Sequence, residues 1–288
     1  MRWPILGILS LALFGCVAEK STATPSPTSV LTTTASATPP PTATIPPDIE
    51  VATALVDLYC PTDNEEAKQA YNAGRRLDPN EGKVDEARQM YLKAIELDPD
   101  YCDAMDNLGL LYRREGNLEE AIKWYKRSIE VLYENPVPHQ NLGHAYLLQG
   151  KTDEAMAEYQ VLLELDPNNP EGYYGLGNVY LIREDYQEAV EQFKKAEELY
   201  LKASSPYVSD ARYKLGLVYY ALRDCATASD YFELVYSDYA DDPALNFYLG
   251  LCYLTPELNN LELARKYLLK AQDLGVEIPS DVLNIIKP

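Results

Sequence analysis

Histidine is scarce in this 288-residue chain, and the familiar catalytic signatures are missing from it. The two histidines, His139 and His144, lie five residues apart, so on one helix they would not share a face. No HExxH, CxxC, P-loop or GxSxG motif occurs, and acidic pairs such as Glu119 with Glu120 fall on outer helix positions. The sequence therefore predicts neither a metal site, nor a cofactor, nor an enzyme. An enzyme with an unrecognised catalytic cleft is the less favoured alternative.

Basic residues are also few, because 25 Lys and Arg face 45 Asp and Glu and leave a formal charge of −20. Such a charge repels phosphate backbones, and we expect no nucleic-acid partner.

Long apolar runs are likewise lacking. Residues 5–14 form an apolar stretch too short to span a bilayer, which needs about 20 residues. Behind a single basic residue, Arg2, this stretch instead predicts a secretory signal over residues 1–15.

The signal ends in Leu13, Phe14, Gly15 and Cys16, which resembles the lipobox of bacterial lipoproteins. The resemblance implies that Cys16 becomes the lipidated first residue of an exported protein. The protein would then be anchored to the outer face of the plasma membrane or to the outer membrane. An ordinary signal peptide followed by an incidental cysteine is the alternative.

Residues 16–47 continue from that cysteine as a segment that cannot fold into a core. Residues 21–47 hold 9 Thr, 7 Pro and 4 Ser and no charge. Such chain favours extended polyproline II, which indicates a disordered stalk that sets the folded part away from a membrane. Residues 48–62 form a lead-in to which we assign no structure.

The rest of the chain repeats itself at an interval of 34 residues. Leu–Gly pairs recur with a Tyr three residues after each Gly, and an Ala twelve residues after the Gly is followed four residues later by an aromatic residue. This spacing predicts two helices per unit, each with one apolar face, so that neighbouring units must stack on one another. The Gly–Ala pairs are Gly109 and Ala121, Gly143 and Ala155, Gly177 and Ala189, and Gly216 and Ala228.

These residues resemble the tetratricopeptide repeat (TPR). The resemblance covers residues 63–275 and implies an all-α, right-handed superhelical solenoid of about six helix pairs, with residues 276–288 as a terminal capping segment. Repeats that begin at Cys102, Pro136 and Pro170 match the family pattern almost fully. Five extra residues near Ser204 predict a longer or kinked second helix in repeat four.

By the same resemblance, the first helix of each pair lines a concave groove that binds protein. The groove becomes apolar toward repeats four to six, which favours an apolar peptide as the ligand. The alternative is that the chain itself covers these side chains. The residues predicted to line the groove are Tyr174, Asn178, Leu181, Tyr213, Leu217, Tyr220, Phe247 and Leu251. The same register predicts that Asp106 and Arg113 of repeat two are exposed on the groove side.

Four cysteines remain beyond Cys16, and an exported setting permits disulfides. The order of the helix pairs places Cys225 and Cys252 toward one end of the stack, and Cys60 and Cys102 likewise at one end. Both pairings are predictions, with buried thiols as the alternative.

In function, the sequence favours a membrane-anchored extracytoplasmic scaffold that binds a protein or peptide partner. An assembly factor for a pilus or envelope complex is the second hypothesis.

Overall fold

The computed structural model describes Cys60, residues 62–77 and residues 82–287, and that part of the chain is helical without strands. The predicted signal peptide, Cys16, the stalk and most of the lead-in lie outside the described residues. The helices are α1 Glu65–Arg75, α2 Val84–Leu97, α3 Cys102–Arg114, α4 Leu118–Val131, α5 Pro136–Leu148, α6 Thr152–Leu165, α7 Pro170–Ile182, α8 Tyr186–Lys202, α9 Val208–Ala221, α10 Cys225–Leu234, α11 Tyr236–Tyr239, α12 Pro243–Tyr253, α13 Leu261–Asp273 and α14 Ser280–Ile286.

The helices fall into two compact units, which divide after residue 183. The N-terminal unit holds α1–α7, where α1 packs on α2, α3 on α4 and α5 on α6, and where α3, α5 and α7 contact one another in chain order. The C-terminal unit holds α8–α14, where α9 packs on α8 and α10, and α12 on α13. The predicted all-α fold of stacked helix pairs is confirmed.

Half of the helices in the described part of the chain begin at a residue whose side chain caps the backbone. Asn135, Asn169 and Asp242 each accept a hydrogen bond from a backbone N–H of the following first turn. Proline follows each of these caps as the first helical residue, where its missing N–H is not needed. The predicted repeat starts at Cys102, Pro136 and Pro170 coincide with the first residues of α3, α5 and α7.

The turn inside each pair has one residue in the left-handed region, always five positions before the repeated Ala. Gly116 and Gly150 hold it in two pairs, with φ of 78° and 75°. Glu184 and Arg223 occupy the same position with φ of 64° each, and Asn259 occupies it with φ of 39°. The shared geometry explains why the repeat tolerates loss of its turn glycine, at a backbone cost of about 1 kcal/mol.

In four of the described pairs the repeated glycine of the first helix lies against the aromatic ring of the second helix, whereas Gly250 lies against Leu268. A Cβ added at Gly109 would lie 2.6 Å from Cε1 of Tyr125, and one added at Gly216 would lie 2.6 Å from Cε1 of Phe232. Both rings are fully buried. The Gly and the aromatic residue of the 34-residue pattern are therefore one contact, which sets how closely the two helices of a pair approach.

Two elements differ from a regular repeat, and one of them was not predicted. Helix α8 extends over 17 residues, compared with 14 in α4 and in α6, and so takes up three of the five extra residues near Ser204. The second helix of repeat five stops at Leu234 and is followed by the separate one-turn helix α11. The short helix α14 is present in the predicted capping segment. Within the described ranges, no helix is both long and apolar enough to cross a membrane.

Candidate functional site

The predicted groove residues of the C-terminal unit are mostly not on the surface. Tyr213, Tyr220 and Phe247 are 6%, 4% and 2% exposed. Leu217 and Leu251 are half-buried and pack against the same hydrophobic core. The expected exposure of the three aromatic side chains is therefore wrong, because the chain itself covers them.

The cover over Tyr213 comes from helix α11. The Tyr239 ring stacks on the Tyr213 ring with centroids 4.9 Å apart and planes 16° apart, and the Tyr239 hydroxyl donates a hydrogen bond to Asp210 on α9. The Tyr213 hydroxyl donates to Asp242 at 3.1 Å, beside the start of α12. The two rings therefore pack on each other, and both hydroxyls have hydrogen-bond acceptors within the unit. Side chains of the C-terminal unit thus occupy this end of the predicted groove.

Tyr248 provides the corresponding cover further along the C-terminal unit. Its ring centroid lies 4.7 Å from that of Tyr220 and 5.7 Å from that of Phe247. The aromatic residues that suggested a peptide groove thus form a core cluster in this unit.

The N-terminal unit keeps accessible side chains on the inner helices. Tyr174 is 8% exposed, whereas Asn178 and Leu181 on the same helix are half-buried and Ile182 is 37% exposed. Helix α5, which contacts α7, contributes the half-buried side chains of Gln140 and Leu148 on the equivalent face, about two turns apart. We call these five side chains the N-terminal groove: Gln140, Leu148, Asn178, Leu181 and Ile182.

The N-terminal groove combines apolar contact area with amide groups. Leu148, Leu181 and Ile182 offer apolar side chains that do not belong to the hydrophobic core of the unit. Gln140 carries both amide donors and an acceptor, and Asn178 donates from Nδ2 to the Tyr174 carbonyl while its Oδ1 can accept. An extended backbone with apolar side chains needs these two kinds of contact, so the arrangement suits a polypeptide.

A buried polar contact lies next to the groove, between α3 and α5. Arg113 Nη1 donates to His144 Nδ1 at 2.6 Å. Burial, together with the positive charge of Arg113, lowers the pKa of His144 to about 3. The imidazole is therefore neutral at ordinary pH and acts as the acceptor, which holds the guanidinium of Arg113 against α5. Arg113 itself is 6% exposed, although the repeat register predicted an exposed side chain.

Asp106 is a second concave position that turns out to be buried. It is 5% exposed, and Asn135 Nδ2 donates to its Oδ2 at 3.4 Å. Burial raises the pKa of the Asp106 carboxyl well above its ordinary value, and the nearby Asp103 raises it further. Because Asn135 also caps α5, this contact ties α3 to the start of the next pair, which is a structural role.

The cysteines behave differently in the two units. A disulfide joins Cys60 to Cys102, with the Cα atoms 5.7 Å apart, and so encloses α1 and α2. Cys225 and Cys252 are buried thiols with no disulfide between them. The predicted Cys225–Cys252 bond is thus not what the structure shows, because both side chains pack as small apolar groups in the core of the C-terminal unit.

The two histidines have separate neighbours, as their spacing predicts. His139 Nδ1 lies 2.8 Å from Glu158 Oε2, and its Nε2 lies 3.0 Å from the Tyr133 carbonyl oxygen. His139 is 2% exposed, so it joins α5 to α6 within the pair. Across the part of the chain that the structure covers, no group of three or more His, Cys, Asp or Glu side chains is arranged to hold a metal ion.

The repeated helix pairs, the left-handed turn residue and the Gly–aromatic contact define a helical-repeat protein. Four tetratricopeptide-repeat family models match the chain. They cover residues 90–123, residues 109–150 and 143–181, residues 170–241 and residues 213–276. The chain belongs to the tetratricopeptide-repeat family.

Solved structures share the fold at low sequence identity. The APC/C hetero-tetramer Cut9–Hcn1 matches with a TM-score of 0.65 and 22% identity over 81% of this chain. The match covers 43% of that chain, so this chain spans less than half of its length. A tetratricopeptide-repeat protein from Parabacteroides merdae matches with a TM-score of 0.54 and 18% identity, over 77% of this chain and 98% of that one.

A third solved structure with this fold has a peptide-binding site in its description. YrrB, described as a TPR protein with an unusual peptide-binding site, matches with a TM-score of 0.51 and 22% identity. The match covers 64% of this chain and 92% of YrrB. No curated protein sequence matches this chain significantly.

Proposed function

We propose that this protein is a membrane-anchored scaffold outside the cytoplasm that binds a polypeptide in its N-terminal groove. The observation that carries the proposal is the contrast between the units. The inner aromatic side chains of the C-terminal unit are covered, whereas Leu148, Leu181 and Ile182 stay accessible in a repeat unit of a protein-binding family. The peptide-binding site described for YrrB, on the same fold, supports a peptide-sized ligand.

Export and anchoring form the second part of the proposal. The signal-like residues 1–15 and the lipobox-like Cys16 support them, as does the Thr- and Pro-rich stalk. The Cys60–Cys102 disulfide adds independent support, because such bonds persist in oxidising compartments and are rare in the cytosol. A lipid anchor on Cys16 would hold the repeats near a membrane at a distance set by the stalk.

Replacement of Cys16 tests the anchor. The Cys16→Ser variant should lose incorporation of labelled palmitate and leave the membrane fraction, because serine cannot carry the thioether-linked lipid. The measurement is palmitate labelling and membrane fractionation of the full chain expressed in a bacterium with lipoprotein processing. Cys225→Ser is the control and should stay labelled and membrane-bound. An unlabelled wild-type protein would contradict the lipid anchor, whereas the proposal that the N-terminal groove binds a polypeptide would not depend on this result.

A charge in the N-terminal groove tests the binding site. Peptides selected from a displayed random library on the purified protein should bind Leu181→Glu at least tenfold more weakly, because the substitution places a carboxylate among apolar contacts. Leu92→Glu is the matched control, since Leu92 is 39% exposed on α2, outside the groove, and it should bind as the wild type does. Titration calorimetry measures both affinities. Equal affinity of the two variants for the selected peptides would contradict the proposal that the N-terminal groove is the binding site. Failure to select any peptide would contradict it as well.

A further inference from the structure

The residues directly before Cys60 differ in composition from the stalk that precedes them. Residues 48–59 hold eight apolar and three acidic side chains, with no basic residue and no proline. Apolar side chains at this density favour a position in which other protein groups cover them from water. We call residues 48–59 the pre-repeat segment, and its composition favours packing on an apolar surface of the folded chain.

The disulfide fixes the place at which the pre-repeat segment joins the folded chain. Cys60 is bonded to Cys102, the first residue of α3. Asn64 Nδ2 donates to the Leu97 carbonyl oxygen at 2.9 Å, so the chain after Cys60 follows the connection between α2 and α3. The C-terminal end of the pre-repeat segment is therefore held at the start of an inner helix of the N-terminal unit.

Helix α1, which comes next in the chain, has no apolar surface for the pre-repeat segment. Its apolar side chains are already buried in the core of the N-terminal unit. The exposed side chains of α1 are polar or charged, namely Glu65, Glu66, Lys68 and Gln69. On the inner helices, in contrast, Leu110 of α3 and Leu148 of α5 are half-buried and offer apolar contact area.

Positive charge lies at the other end of the inner helices. The last turn of α1 carries Arg75, and the last turn of α3 carries Arg113 and Arg114. Burial raises the pKa of Tyr91 to about 12 and the charges of Arg75 and Arg114 act in the opposite direction, so both arginines lie close to this tyrosine. In a chain with a formal charge of −20, this concentration of arginines suits an acidic segment as its partner.

We propose that the pre-repeat segment folds back from Cys60 along α3 and occupies the α5 side of the N-terminal groove as an intramolecular ligand. This inference rests on the proposed function of the groove. Twelve residues reach about 40 Å when extended, whereas the 13 residues of α3 are about 20 Å long. A path antiparallel to α3 brings Asp48 and Glu50 toward Arg114 and the apolar residues between them and Cys60 toward Leu148. A partner polypeptide then has to displace the pre-repeat segment before it can bind.

Photocrosslinking of the purified full chain in a non-ionic detergent tests the contact directly. A photoreactive phenylalanine analogue introduced at Leu148 should crosslink to residues 48–59 of the same chain, as mapped by mass spectrometry of the proteolysed product. The same analogue at Leu92, which is 39% exposed on α2 and outside the groove, should give no crosslink to this segment. Absence of a crosslink from Leu148 to residues 48–59, or one that forms only between two copies, overturns the proposal.

Peptide binding measures whether the pre-repeat segment competes with a partner. Val51→Asp/Leu55→Asp removes apolar contacts of the segment, so the peptides selected on the purified protein should bind this variant at least tenfold more tightly than the wild type. Val30→Asp/Leu31→Asp places the same charges in the stalk and should bind as the wild type does. Far-UV circular dichroism of each variant shows that the helices are retained.

The outcomes separate this proposal from the proposed function of the groove. Equal affinity of the wild type and Val51→Asp/Leu55→Asp overturns the intramolecular ligand, while binding of a polypeptide in the N-terminal groove stands. A crosslink from Leu148 to residues 48–59, together with no peptide bound by either protein, supports the intramolecular contact and contradicts the proposed function.

Discussion

Loss of the Cys60–Cys102 disulfide should lower the free energy of unfolding of the N-terminal unit by about 4 kcal/mol. The bond closes a loop with a sequence separation of 42, and the chain-entropy estimate for a loop of that length gives about this value. The double variant Cys60→Ala/Cys102→Ala should therefore show earlier unfolding of α1 and α2 in native-state hydrogen exchange. The helices of the C-terminal unit should exchange as before.

Reductant provides the control for the disulfide. The wild type in dithiothreitol should behave like the double variant, and the double variant should not respond to dithiothreitol at all. Cys225 and Cys252 stay in place in both proteins, so their buried thiols do not enter the comparison. Unchanged exchange of α1 and α2 on reduction of the wild type would contradict a stabilising role for the bond.

Phe232→Ala should destabilise the C-terminal unit by about 3 to 5 kcal/mol, the range for removal of a fully buried aromatic ring. The ring is 0% exposed, lies against Gly216 and sits 6.1 Å from the Tyr213 ring, so its loss leaves a cavity between α9 and α10. Chemical denaturation followed by hydrogen exchange of α9 and α10 measures the effect.

Tyr231→Ala is the matched control for Phe232. Tyr231 is the preceding residue of α10, is half-buried and stacks on Tyr219 with ring centroids 5.6 Å apart. Its loss removes a peripheral stacking contact and should cost about 1 kcal/mol. If the two variants were equally destabilised, the repeated Gly–aromatic contact would not be the packing contact that holds a pair together.

The fold could be predicted because the repeat encodes it locally. Leu–Gly, Tyr and Ala recur at helical spacing, and the caps that begin α5 and α7 are adjacent Asn–Pro pairs. Helix α11 could not be predicted in the same way. The Leu–Gly pairs of repeats five and six are 34 residues apart, so the break after Leu234 leaves the interval unchanged.

The candidate site was predicted less well, since exposure depends on tertiary contacts. The register correctly places Tyr213 on the inner helix α9, but whether the ring is open to a ligand depends on Tyr239, which comes from α11. In the N-terminal unit, the same register treats Arg113 and Asp106 as exposed, whereas contacts with His144 and Asn135 bury them. The repeat register of one helix predicts which side chains point away from its own pair, but it does not show whether a neighbouring helix covers them.

The central claim is that the partner lies in the N-terminal groove, and photocrosslinking in intact cells tests it most directly. A photoreactive phenylalanine analogue introduced at Asn178 should give a discrete crosslinked product with another polypeptide. The same analogue introduced at Leu217, the half-buried counterpart in the C-terminal unit, should give none. A product from Leu217 and none from Asn178 would contradict the account.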